Sequence, residues 1–365
     1  MKLHSFAFMK RNLTASSLHT IASEIRTCVG IETRSSVIGG GDEASSRKEQ
    51  ENLCMQSIKL FLELGLNFFD TAWICESNCF PPRNLDARLL YRDTTSEMIL
   101  GRAVAHFGRK RFVLATSFYM QSVDISPRNL SKTFPQTTPS QVPRSLQPTY
   151  SDDNTPKNGQ KTITDRIIRR QLTASLKRLG TDFIDLYYLQ KTDIDHSVVE
   201  DVMHCLKGLV RERKIKYVGL SVNSADLIRR AHRIHPITAV FAEYSFQYRD
   251  IEVDVLSTCR ELGIGIVARR PYGSGTPCDQ SPSSGSDVRG SPEKKIKKSS
   301  SQFLDLAAEK NCTPNQFALG WLHAQGIDVF PLIETNKTEN VLEAFKALKI
   351  HLYGTDLDEV GTIRL

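Results

Sequence analysis

Several apolar runs in this chain end in, or carry near their end, a polar side chain able to hydrogen-bond a bound molecule or exchange a proton with it. LNFFD ends in Asp70, a carboxylate that could serve a site or cap the next helical turn. FVLATSF carries Ser117, which can donate a hydrogen bond but brings no charge. DFIDLYYLQ ends in Gln190, whose amide can donate to a carbonyl oxygen but can neither become a cation nor relay a proton. Tyr91, in YRDTTSE, offers a phenol just before a helical pattern, where it could pack beside the helix start. Cys75 and Cys79 are the nearest pair of thiols, and no matching second pair follows, so free thiols in an exposed loop fit them better than a metal site. His196, six residues past Gln190, is placed on the following helix rather than in the site.

The scaffold that positions such groups is clearest in TDRIIRRQLTASLKRLGTDFIDLYYLQ, Thr164 to Gln190. Ile168, Leu172, Leu176 and Leu179 recur at helical spacing, with Arg169, Arg170, Lys177 and Arg178 on the other faces and Gly180 as the terminator. Phe183–Leu189 is apolar enough to be buried on both faces, as parallel strands covered by helices are. This αβ unit delivers Gln190 to the C-terminal edge of a sheet, where α/β barrels and doubly wound sheets place their chemistry.

The same alternation runs to the end of the chain. Strands are predicted at Cys28–Thr33, Leu66–Asp70, Phe112–Thr116, Phe183–Leu189, Tyr217–Ser221, Ala239–Glu243, Gly265–Ala268 and Val329–Leu332, enough for a closed barrel. Helical patterns include Ser96–Phe107, Val198–Arg213, Ala225–His232, Ile251–Leu262 and Pro314–Ala324, the last preceded by Thr313 as a cap. The expectation is a single (β/α)8 TIM barrel over residues 26–365, behind a leader of residues 1–25. Three insertions, 73–90, 119–161 and 274–301, each follow a predicted strand and so fall on the C-terminal face. The second and third are rich in Ser, Pro, Thr, Gly and charge and cannot bury enough apolar surface to fold alone. They read as lids, as segments that dock a protein partner, or as errors in the gene model.

At 365 residues, 40% hydrophobic and 24% charged, the chain has the size and composition of one large soluble α/β enzyme domain. No apolar run is long enough to insert in a membrane. The net charge of +7 is concentrated in the first segment and in Arg289–Lys298, which gives little reason to expect nucleic-acid binding. Eight scattered cysteines favour reduced intracellular thiols. Met1–Ser23 has no acidic residue while carrying Lys2, Lys10 and Arg11. It reads either as a disordered extension of a cytoplasmic protein or as an organellar transit peptide.

SLKRLGTDFIDLYYLQ resembles the fourth-strand signature of the aldo-keto reductase family. GLNFFDTA, TSEMILGRA, LVRERKIKYVGLS, CRELGIGIV and KNCTPNQFALGWLHAQG resemble further family segments in the right order, covering about Cys28 to Lys349 outside the insertions. The resemblance implies NAD(P)H-dependent reduction of a small carbonyl substrate. Hydride goes to carbon, and a tyrosine protonates oxygen. A lysine paired to an aspartate lowers the tyrosine's pKa, and a histidine orients the carbonyl.

Carried over position by position, Asp70 matches the aspartate, and Tyr91 matches the tyrosine if residues 73–90 hold an insertion. Ser117 stands at the lysine position and Gln190 at the histidine position. On the cofactor side, the resemblance implies contacts to NADP(H) from Ser221, Arg269, Gly273, Gly275, Thr335, Lys337 and Glu343. Val222 and Phe241 stand where the family often has Asn and Gln, Arg269 where a tyrosine stacks on nicotinamide, and Asn340 where an arginine often meets the 2′-phosphate. Glu334 and Ala344 also depart from the pattern. Arg289–Lys298 reads as a solvated charge run or as a clamp over the pyrophosphate.

Two readings follow. In the first, the chain is a weakly active or non-catalytic relative with a nucleotide-binding or regulatory role. In the second, it is an active NADP-dependent oxidoreductase with Tyr91 as proton donor.

Overall fold

A computed structural model describes residues 30–32, 43–71, 96–118, 163–190, 196–222, 224–273, 302–335 and 337–362. The leader, the insertions 73–90, 119–161 and 274–301, and with them Cys75, Cys79, Tyr91, Gly275 and Arg289–Lys298, lie outside the described residues.

Eight parallel strands close into a barrel in chain order. They are β1 Gly30–Glu32, β2 Phe68–Thr71, β3 Val113–Phe118, β4 Ile184–Leu189, β5 Ile215–Leu220, β6 Ala239–Glu243, β7 Gly265–Arg269 and β8 Val329–Glu334. The seam closes where Gly30 of β1 meets Phe68 of β2 on one side and Leu332 of β8 on the other. The ladder between β4 and β5 has five paired positions, whereas that between β5 and β6 has two, Gly219 with Ala239 and Leu220 with Val240.

Around the barrel run α1 Glu43–Glu63, α2 Ser96–Phe107, α3 Ile163–Leu179, α4 His196–Arg211, α5 Ala225–Ile234, α6 Val255–Leu262, α7 302–309, α8 Pro314–Gln325, α9 Thr338–Ala347 and α10 Gly354–Thr362. None of the helices is long and apolar enough to cross a membrane.

Local chemistry accounts for the element ends. Ile168, Leu172 and Leu179 of α3 are buried, and the chain leaves the helix through Gly180 in the left-handed region, φ 61. Thr313 accepts from the Gln316 amide while the Gln316 side chain accepts from Thr313, a reciprocal cap in front of Pro314. Every residue of β3 and β4 is buried, as strands walled by helices require.

The elements match the predicted ones with shifts at their ends, and one helix is corrected. Ile251–Leu262 is a 3-10 turn, Asp250–Glu252, followed by α6. Val253 is 85% exposed between them, and Asp254 stands ahead of the new helix, so no apolar face continues through the break. The pattern predicted as Val198–Arg213 stops at Arg211, because Arg213 takes the left-handed conformation, φ 58.

Candidate active site

Alternation along each strand divides the side chains between two cores. One lies between strands and helices. The other fills the barrel interior with Phe68, Ala115, Leu186, Tyr188, Phe241 and Val267. The interior residues nearest the strand C-termini include the polar groups singled out above.

Asp70 on β2, Ser117 on β3, Gln190 just past β4 and Ser221 just past β5 are all buried. Ser117 Oγ donates to Gln190 Oε1 at 3.2 Å. That contact ties the ends of β3 and β4 and fixes the amide, so its Nε2 is the end able to donate to a bound oxygen. Asp70 is joined by a residue the sequence reading passed over. Tyr188, two positions before Gln190 and therefore on the same face of β4, donates its hydroxyl to Asp70 Oδ2 at 2.9 Å. The pair is buried on both sides, Asp70 at 1% exposure and Tyr188 at 1%.

The Tyr188 ring lies flat on Phe241 of β6, with centroids 3.7 Å apart and planes 12° apart. Gly219 of β5 makes room for this stack, since a Cβ there would sit 2.9 Å from the Tyr188 Cβ and 3.2 Å from the Phe241 ring. The neighbouring Tyr187 points the other way, against Phe118 at 4.9 Å, and burial followed by the charge of Glu97 pushes its pKa well up. Tyr187 thus faces the outer core, and Tyr188 faces the barrel interior beside Asp70.

The strand ends are pinned from outside the barrel. Thr71 donates to Ser96 at 2.7 Å, and Thr116 donates to Glu97 Oε1 at 2.8 Å. Glu97 has 0% exposure and also takes Arg178 Nε of α3 on its second oxygen. One buried carboxylate therefore ties β3, α2 and α3 beside Ser117.

The remaining candidate positions among the described residues fall on the same edge of the barrel and on or next to α9. Arg269 ends β7 and is half-buried, and Gly273 occupies the following turn in the left-handed region, φ 74. Between them Arg270 holds φ 49 and reaches Glu243 of β6 at 3.5 Å. Thr335 Oγ1 accepts from the Lys337 amide and from Asn340 Nδ2, both at 3.0 Å, forming a tight turn at the start of α9. Lys337, the N-cap residue, makes no side-chain cap hydrogen bond. Glu343 accepts from Thr313 and, at 3.1 Å, from Asn315 Nδ2, so its carboxylate links α9 to α8.

A closed (β/α)8 barrel with polar side chains gathered at the strand C-termini has the architecture of enzymes that bind ligands at that rim. The chain matches the aldo/keto reductase family over residues 36–364 and belongs to it. Solved structures share the fold. An aldo/keto reductase from Klebsiella pneumoniae, in complex with NADP and acetate, is 19% identical with a TM-score of 0.59, over 91% of this chain and 89% of that one. The thermostable aldo-keto reductase Tm1743, in complex with the inhibitor epalrestat, is 21% identical with a TM-score of 0.60, over 92% and 95%. The aldo-keto reductase AKR11C1 of Bacillus halodurans, in its holo form, is 18% identical with a TM-score of 0.59, over 86% and 88%.

Proposed function

We propose that this chain is an aldo-keto reductase relative with weak or no reductase activity, whose barrel retains a nucleotide-binding or regulatory role. The observation that carries this reading is the Tyr188–Asp70 hydrogen bond. The resemblance expects Asp70 to face a lysine ammonium. Here the Tyr188 hydroxyl donates to Asp70 Oδ2, and the lysine position is Ser117, whose hydroxyl donates to Gln190.

The chemical consequence follows from charge. An ammonium beside a phenol favours the phenolate and so eases proton release, whereas a hydroxyl cannot. The Tyr188 hydroxyl is already engaged with Asp70 Oδ2 and does not replace the missing acid. Loss of a tuned general acid reduces rate by roughly a hundredfold to ten-thousandfold. Gln190 retains one part of the chemistry, because its Nε2 can orient a carbonyl oxygen while Ser117 secures the other end of the amide.

The residues present fit NADP(H) in part. At the phosphate end, the start of α9 with Lys337 beside it offers backbone N–H groups and a cation to an anion. Asn340 turns to Thr335 and Glu343 to α8, so the groups expected at the adenosine end serve the fold as well. At the nicotinamide end Ser221, buried just past β5, would hold the carboxamide, and the Arg269 guanidinium would stack on the ring. Bound NADPH would supply the hydride.

The test is titration of NADPH by fluorescence, alongside NADPH consumption with simple aldehydes. Binding without turnover is the expected result. Turnover at the level of ordinary family reductases overturns the reading, and failure to bind removes its nucleotide component.

A further inference from the structure

The end of the barrel opposite the candidate site carries a concentration of positive charge. On α4, Lys207 and Arg211 lie four residues apart, along one stripe of the helix. The turn after it adds Arg213 and Lys214, and Lys216 is the second residue of β5. Arg211, Arg213, Lys214 and Lys216 are all exposed. The last turn of α5 converges on the same place and adds the exposed Arg233. His235, just past α5, is held below the usual histidine range by burial first, and then by the charges of Lys207, His232 and Arg211.

Cations at helix C-termini complement the exposed carbonyls, and that explains part of the pattern. It does not explain Arg213. Its φ of 58 lies in the region that glycine adopts freely and arginine only at a cost. The main-chain bonds of this turn are made, Arg213 N to Val210 O and Lys214 N to Leu209 O, and the arginine adds a guanidinium to a surface already cationic. Arg211, Arg213, Lys214 and Arg233 have no ion pair among the described residues. Of the nearby carboxylates, Glu212 pairs with Arg169 and Glu200 with Arg230, while Asp182, just ahead of β4, is exposed.

We propose that this N-terminal face of the barrel docks an acidic segment of a protein partner. Glu200 and Glu212 interrupt the positive field and confine it to a small patch, which suits a short acidic peptide better than a continuous phosphate backbone or a lipid plane. The chain's own first segment is not the complement, since residues 1–23 carry Lys2, Lys10 and Arg11 and no acidic side chain. Docking here leaves Asp70, Ser117 and Gln190 free at the other end, so the proposal stands apart from any activity of the site.

The experiment uses the full chain and a dye-labelled oligoglutamate peptide, read by fluorescence anisotropy at low and high salt. A duplex RNA oligonucleotide and phosphatidylserine vesicles serve as the competing chemistries. Salt-sensitive peptide binding is expected, weakened about tenfold by Arg211→Glu with Lys214→Glu. Arg213→Gly provides a second variant that relieves the backbone. It is expected to raise the melting temperature while weakening the peptide about twofold. No salt-sensitive binding, equal binding by the charge-reversed protein, or tighter binding of RNA or vesicles than of peptide overturns the proposal. If the reversed protein does not fold, Arg213→Gly decides, and unchanged affinity there counts against docking.

Discussion

The hydroxyl of Tyr188 donates to Asp70 Oδ2 at 2.9 Å, joining residues 118 positions apart across the inside of the barrel. Tyr188→Phe keeps the ring on Phe241 but removes a donor from a buried carboxylate. The expected cost is about 1–3 kcal/mol of unfolding free energy. Urea denaturation measures it, and an unchanged midpoint would show that the bond contributes nothing to the fold. Tyr188→Leu also removes the stack and should cost more.

The same contact predicts how activity could be built back. Ser117→Lys with Gln190→His restores the family side chains, yet Tyr188 still holds Asp70 Oδ2, so NADPH consumption should stay near the wild-type level. Adding Tyr188→Leu frees the carboxylate for the new ammonium, and turnover should rise about tenfold or more. A double variant as active as the triple one would show that Tyr188 does not stand in the way.

Glu97 tests the outer pinning of the site. It has 0% exposure, and Arg178 supplies its ionic partner. Arg178→Ala leaves that carboxylate buried and uncompensated, with an expected loss of about 3–5 kcal/mol. Chemical denaturation reads the loss directly. A change no larger than that for an exposed pair such as Arg229–Glu261 would contradict the assignment.

The described cysteines, Cys54, Cys205, Cys259 and Cys312, are free thiols. Burial first holds Cys54 up at about 11 and Cys259 at about 12, and it raises Cys205 further, with Asp165 beside it. The thiolate is the reactive form, so iodoacetamide at neutral pH should reach the half-buried Cys312 well before these three. A mass-spectrometric time course on the native protein checks the order, and early labelling of Cys205 would refute it.

Lys310 pairs with Asp356 at the start of α10, at 2.6 Å. The ammonium first, then the Tyr353 amide, hold the Asp356 carboxyl below its usual range. A carboxyl depressed in the folded state stabilises above its unfolded pKa, and that contribution is lost as pH falls through the folded value. Asp356→Asn should therefore flatten the acid limb of the unfolding curve below the ordinary carboxylate range. Parallel acid limbs for the two proteins would show that the pair is not coupled to folding.

Much of this architecture is legible in the chain because it rests on local pattern. Ser96–Phe107 and Ala239–Glu243 are read to the residue, and Gly180 and Thr313–Pro314 mark their helix ends as turn and cap chemistry requires. The strand-end positions of Asp70, Ser117, Gln190 and Ser221 are legible too, each at or near the end of an apolar run. The partner of Asp70 is not. IDLYYL is buried throughout, so no polar and apolar alternation tells the inward Tyr188 from the outward Tyr187. The only signal was spacing, since Tyr188 lies two residues before Gln190 and must share its face. Glu97 was hidden likewise, because its partners Thr116 and Arg178 come from two other elements.

The ladder between β5 and β6 has a further bearing on the whole barrel. With two paired positions, it is the line along which the cylinder would gape most readily. Tyr188 and Phe241 reach over Gly219 from the strands on either side and fasten β4 to β6 like a rivet. Breathing of the barrel should then be gated by an aromatic overlap rather than by main-chain pairing. Amide hydrogen exchange along β5 and β6 would quicken when either ring is cut back.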